Sequence, residues 1–232
     1  MKTKIKICGL KRPEDVEIIN EVQPDYCGFV IDFPKSHRSI PHEEVEKLTA
    51  MIKGKPISVG VFVNAPAETV VKLLQSRVIR MAQFHGNEDD DYIKKIRYNT
   101  KAKLIKAFRI RSAQDLEAAK QSAADYVLLD NGTGTGEAFD WTLITDLGRP
   151  YFLAGGLNAE NLPEAIHAFH PFAVDISSGV ETDRLKDPDR IRRVMQIVRS
   201  TDRVGRREAC RAVLCTSTLE EFSVSKKRKD KN

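Results

Sequence analysis

Tryptophan occurs once in this 232-residue chain, and cysteine four times, at Cys8, Cys27, Cys210 and Cys215. So few cysteines in so long a chain argue against a disulfide framework, which belongs to short secreted scaffolds. The Cys210–Cys215 spacing is not CxxC, and no second Cys/His pair stands at zinc-site spacing. HExxH, H-x-H and clustered carboxylate–histidine sets are missing too, so no metal is expected. No apolar run reaches the roughly 18–20 residues a membrane span needs. The basic start MKTKIKICGL is not followed by the apolar stretch of a secretory signal, and a cytoplasmic location is expected.

Charge of one sign is also scarce outside the end of the chain. Of 38 Lys/Arg and 33 Asp/Glu, residues 201–232 hold nine and five, so residues 1–200 are close to neutral. The high pI of about 9.0 therefore comes mostly from the tail. The main body gives no sign of binding nucleic acid or a membrane, and a small-molecule partner is expected. The KKRKDK run reads as a solvated, disordered end.

What the chain does contain is an alternation. Eight short apolar runs recur: 4–8, 26–31, 57–63, 79–84, 103–108, 126–130, 151–155 and 172–177. Between them lie stretches of helical spacing, at 13–22, 41–52, 65–76, 87–97, 112–122, 158–169 and 187–200, with the weakest at 139–147. Pro13 stands where a first-turn proline sacrifices no hydrogen bond. Repeated β-then-α units imply parallel strands covered by helices. Eight of them in about 200 residues fit a closed barrel better than an open sheet with one crevice. The fold class is thus α/β, a single (β/α)8 barrel over residues 1–200, with 201–232 as an extension.

Barrels of this kind place their chemistry on the loops after the strands. Two late loops, LAGGLNAEN (153–161) and DISSGVE (175–181), are rich in small residues that let backbone N–H groups approach an anion. Together they point to a phosphate held by Gly155, Gly156, Ser178 and Gly179, with the Ser177 and Ser178 hydroxyls nearby. GTGTG (132–136) lacks the context of a nucleotide loop and reads as a mobile active-site loop.

Asp130 closes the apolar run YVLLD beside that loop. Burial at a barrel mouth would raise its pKa and suit it to donate a proton. Cys8 closes KIKIC; it is either a base acting as thiolate or a small buried hydrophobe, and position leaves both open. Arg38, in DFPKSHRSI, suits a bidentate clamp on a carboxylate. His37, Lys35 and His85 rank below it; His85 can do acid–base work or be structural. Cys27 reads as core, Asp175 as a polar residue inside the barrel, and Trp141 as packing. Lysines in an apolar strand setting are not evident, Lys106 being the only one worth noting.

These strand ends, taken in order, resemble the phosphoribosylanthranilate isomerase family. The matching pieces are KICGL (6–10), GFVIDFPKSHRSI (28–40), VGVFVN (59–64), QFHGNE (83–88), LLD (128–130), GTGEAFDW (134–141), LAGGLNAEN (153–161) and VDISSGVE (174–181). The resemblance implies an Amadori rearrangement without a cofactor; a monomer or homodimer is expected. Asp130 would be the general acid and Cys8 the general base, with Arg38 on the anthranilate carboxylate, the late loops on the phosphate and His85 nearby on substrate. Histidine-pathway isomerases share the fold and chemistry but place an aspartate where Cys8 stands. Two departures concern loops: Thr133 replaces a glycine, and His37 stands where proline is common. The resemblance ends near Ser200.

Overall fold

In KIKIC the side chains alternate by face. Ile5 and Ile7 are buried in the shell between strands and helices. Lys6 and Cys8 are buried on the other face, toward the barrel axis. The same alternation recurs around the ring and sorts the core into an inner cluster, containing Tyr26, Val59, Met81, Ile105, Leu128 and Phe152, and an outer shell.

The computed structural model describes residues 2–130, 144 and 147–201. The sheet comprises β1 (Lys4–Cys8), β2 (Tyr26–Ile31), β3 (Ser39–Ile40), β4 (Ile57–Phe62), β5 (Met81–Phe84), β6 (Lys103–Arg109), β7 (Tyr126–Asp130), β8 (Tyr151–Leu153) and β9 (Ala173–Ile176). All pair in parallel, and β1 bonds to both β2 and β9, so eight strands close a ring with the short β3 added beside β2. This is the expected barrel, with strand bounds within about two residues of the apolar runs.

Helices α1 (Pro13–Val22), α2 (His42–Ala50), α3 (Ala67–Gln75), α4 (Asp90–Asn99), α5 (Ala113–Gln121) and α6 (Leu162–Phe169) cover the ring, and residues 188–201 are helical as well. Helix α1 begins at Pro13, with the Asp15 carboxylate accepting from the Lys11 and Arg12 amides at 2.9 and 3.2 Å. The expected GTGTG loop, most of the expected helix at 139–147 with Trp141, and the tail from 202 onward lie outside the described residues.

The ring is not symmetrical end to end. At the strand N-termini Tyr26, Tyr126, Phe152 and Phe172 stack edge-to-face or face-to-face with centroids 4.9–5.8 Å apart, which fills that end with aromatic rings. The strand C-termini stay open. There the chain adds a hairpin, β10 (Glu181–Thr182) with β11 (Leu185–Lys186), whose turn residues Asp183 and Arg184 both have positive φ. It folds Lys186 back beneath Ser177 and Glu181. A two-residue turn without glycine gave no sequence signal for it.

Candidate active site

A cavity of about 340 Å³ opens at the strand C-termini. It is lined by Cys8 from β1, Arg38 from the loop after β2, Gln83 from β5 and His85 just after it, Asp130 from β7, Ala154–Leu157 after β8, and Asp175, Ser177 and Ser178 at β9. Sequence-expected residues from six loops thus meet in one place, while Val30, Phe33, Val61 and Val63 supply an apolar wall.

The phosphate-friendly loop after β8 has the backbone that its glycines allow. Gly155 and Gly156 sit at φ +89° and +66°, where a side chain would be strained. Asn161 holds the turn, donating Nδ2–H to the Gly156 carbonyl at 3.0 Å and accepting from the Asn158 amide at 2.9 Å. Ser178 begins a single turn of 3-10 helix, Ser178–Val180. Two of the expected residues also serve the packing of this end. The Ser177 hydroxyl donates to the Cys8 carbonyl at 3.0 Å, and so ties β9 to β1 at the cavity wall. Gly179 does not line the cavity: a Cβ there would lie 2.0 Å from the Leu157 carbonyl oxygen, so glycine is demanded by the packing of the two loops on each other.

Arg38 reaches the cavity already engaged. Its Nε and Nη2 donate to the two Glu181 oxygens at 2.7 Å each, and Lys186 donates to the same carboxylate at 2.7 Å. Burial alone would push the Glu181 carboxyl up, but the two cations pull it down to about 2. Arg38 is therefore an oriented guanidinium, with Nη1 unpartnered among the described residues. His37 Nε2 stands 3.7 Å from Glu181 and is no part of the cavity wall. Burial and the neighbouring Arg38 hold its pKa below the ordinary value. Lys106 faces away, donating to the Gly86 carbonyl at 2.7 Å beside buried Glu88, which caps the Asn64 and Gly86 amides.

Asp130 Oδ2 lies 3.3 Å from His85 Nε2, and His85 Nδ1 lies 3.2 Å from Gln83 Nε2. Gln83 Oε1 accepts from Lys6 Nζ at 2.8 Å, so its amide turns the N–H toward His85. Nδ1 then accepts, and Nε2 carries the proton that faces Asp130. Lys6 also donates to Asp175 Oδ2 at 2.8 Å. Asp175 Oδ1 has no hydrogen-bond partner among the described residues. Cys8 sits beside this chain. Burial is the largest influence on its thiol and raises its pKa; Lys6 is the next and opposes it. No group of three His/Cys/Asp/Glu able to hold a metal occurs among the described residues.

Comparison with known proteins decides the family. The model of the N-(5'-phosphoribosyl)anthranilate isomerase family matches residues 5–197. The chain belongs to the phosphoribosylanthranilate isomerase family. It is 42% identical over 203 residues to the isomerase of Thermoanaerobacter pseudethanolicus, covering 84% of this chain and 98% of that one. Among solved structures, the monomers made from the dimeric isomerase of Thermotoga maritima match with TM-score 0.76 and 35% identity, over 85% of this chain and 99% of that one. An isomerase bound to reduced 1-(o-carboxyphenylamino)-1-deoxyribulose 5-phosphate matches with TM-score 0.74 and 33% identity, over 85% and 99%.

Four polar residues in or beside the cavity escaped sequence reasoning: Lys6, Gln83, Glu181 and Lys186. Lys6 corrects the expectation that no lysine stands in an apolar strand, since it is fully buried in β1. The period-2 alternation of KIKIC carried that signal, because it puts Lys6 on the same face as Cys8. Glu181 and Lys186 are joined by the unforeseen hairpin.

Proposed function

We propose that this cavity carries out the rearrangement with Asp130 as general acid and Cys8 as general base. The activity follows from family membership: the enzyme isomerises N-(5'-phosphoribosyl)anthranilate to 1-(2-carboxyphenylamino)-1-deoxyribulose 5-phosphate in tryptophan biosynthesis. The observation that carries the assignment is the convergence of the Asp130 carboxyl, the Cys8 thiol and two anion-friendly walls on a single cavity.

In this reading the substrate phosphate lies against the Gly155, Gly156 and Ser178 amides. The anthranilate carboxylate meets Arg38, and the apolar wall of Phe33, Val61 and Val63 takes the ring. Asp130 delivers its proton to the furanose ring oxygen. The C1–O bond breaks as the nitrogen lone pair forms an iminium. The Cys8 thiolate then removes the C2 proton, giving the enolamine, which tautomerises to the ketone. His85 orients the acid from 3.3 Å. A homodimer, as the name of the Thermotoga relative implies for that protein, is the assembly proposed here.

The test is direct. Phosphoribosylanthranilate generated in situ loses its anthranilate fluorescence on isomerisation. Adding the enzyme is expected to accelerate that loss far beyond the spontaneous background, and no acceleration refutes the reading.

A further inference from the structure

The chemistry above leaves a buried ammonium without a task. Lys6 is 0% exposed, and two of its three protons are committed to Gln83 and Asp175. A buried ion pair is commonly no more stabilising than apolar side chains of equal volume, so fold stability is a poor reason to keep one. Strand register brings Lys6 to the base. It pairs with Asp175, while Cys8, two residues on and on the same face, pairs with Gly28. Gly28 has no side chain to separate them. A Cβ there would lie 2.7 Å from Cys8 Sγ, 3.1 Å from Lys6 Cε and 3.2 Å from Lys6 Nζ. Ammonium and thiol therefore flank one bare glycine, and the third lysine proton is left for the sulfur.

The charges around the thiol come from four directions. Lys6 on β1 favours the thiolate, Asp175 on β9 disfavours it, and Lys186 on β11 favours it. Arg38 stands across the mouth on Glu181, and Asp130 stands there with His85. In turn, burial opposes the Lys6 charge most strongly, yet Asp175 and the thiol keep its pKa above the ordinary lysine value.

We propose that Lys6 is a positioning residue for the isomerisation: its ammonium, fixed by Asp175 and Gln83, is the counter-charge that lets Cys8 stand as the thiolate that takes the C2 proton. The proposal rests on Cys8 being the base. In the step, the thiolate gains the proton and the C2–H electron pair becomes the C1=C2 bond. The iminium π pair returns to nitrogen. Lys6 keeps its protons throughout.

The test titrates Cys8 itself. The rate of iodoacetamide alkylation of the Cys8 peptide is followed by mass spectrometry against pH in the full-length enzyme. Cys8 lines the open cavity, whereas Cys27 is fully buried. Lys6→Gln is expected to move the alkylation midpoint up by about 1–3 pH units, the effect of one opposite charge at about 4–6 Å. Gly28→Ala, which wedges a methyl between the two groups, moves it the same way. Asp175→Asn moves it down, because the thiolate becomes the remaining anion for the ammonium. The ascending limb of kcat/KM follows each midpoint. An unmoved midpoint in Lys6→Gln, or a loss of kcat equal at every pH, overturns the proposal. Should Lys6→Gln not fold, an upward or absent shift in Asp175→Asn overturns it instead. Wild-type kcat in Cys8→Ala would sink the base assignment, a result distinct from any of these shifts.

Discussion

Replacing Glu181 by Gln removes the anion from a group of three charges, with Arg38 and Lys186, without changing its volume. The carboxylate is 8% exposed and accepts three hydrogen bonds of 2.7 Å from Arg38 and Lys186. Its pKa lies at about 2 instead of the ordinary 4.5. At about 1.4 kcal/mol per pH unit, that difference amounts to about 3 kcal/mol favouring the ionised carboxyl in the folded state. The folded pKa is depressed, so this stability is fully present above about pH 4.5 and is lost as pH falls through about 2. Glu181→Gln should therefore unfold about 3 kcal/mol more easily at pH 7, a large share of the about 5–15 kcal/mol available to a domain. It should also show a flatter dependence of stability on pH between about 4.5 and 2. Urea titrations at several pH values measure both. Wild-type stability at pH 7, or an unchanged acid slope, would refute the claim that this carboxylate holds the two cations.

Arg38→Ala should raise KM far more than it lowers kcat, and the same loss with a substrate analogue lacking the anthranilate carboxylate would remove the clamp. In Gly179→Ala the new methyl would meet the Leu157 carbonyl, so a destabilisation of about 1–3 kcal/mol or more is expected in thermal melts, with KM raised through the displaced phosphate loops. Unchanged melting would show that the loops can part. Truncation after Ser200 should leave kcat/KM as in the full chain, and a marked fall would give the extension a catalytic role.

Much of this is legible in the sequence. Strands that are buried on both faces read as apolar runs, and so the eight of them, and the open end to search, followed from spacing. Asp130, Cys8, Arg38, His85, Gly155 and Ser178 end strands or begin loops, and all line the cavity. What escaped was what partners decide. Arg38 looks the same in sequence whether solvated or locked on Glu181, a residue 143 positions away. Ser177 and Gly179 carry the composition of a phosphate loop, and the composition does not show that each also serves a close approach of neighbouring strands or loops. Lys6 was hidden by its own polarity, since a lysine within a core strand reads as an edge until its buried anion 169 residues away is seen.

The most direct test of the account compares kcat in Asp130→Asn and Cys8→Ala with the wild type in the fluorescence assay. Each substitution removes a group that moves a proton, and such groups contribute about 10²–10⁴-fold. Both variants should lose kcat on that scale with KM little changed. Wild-type kcat in either one would contradict the pairing of one acid on β7 with one base on β1.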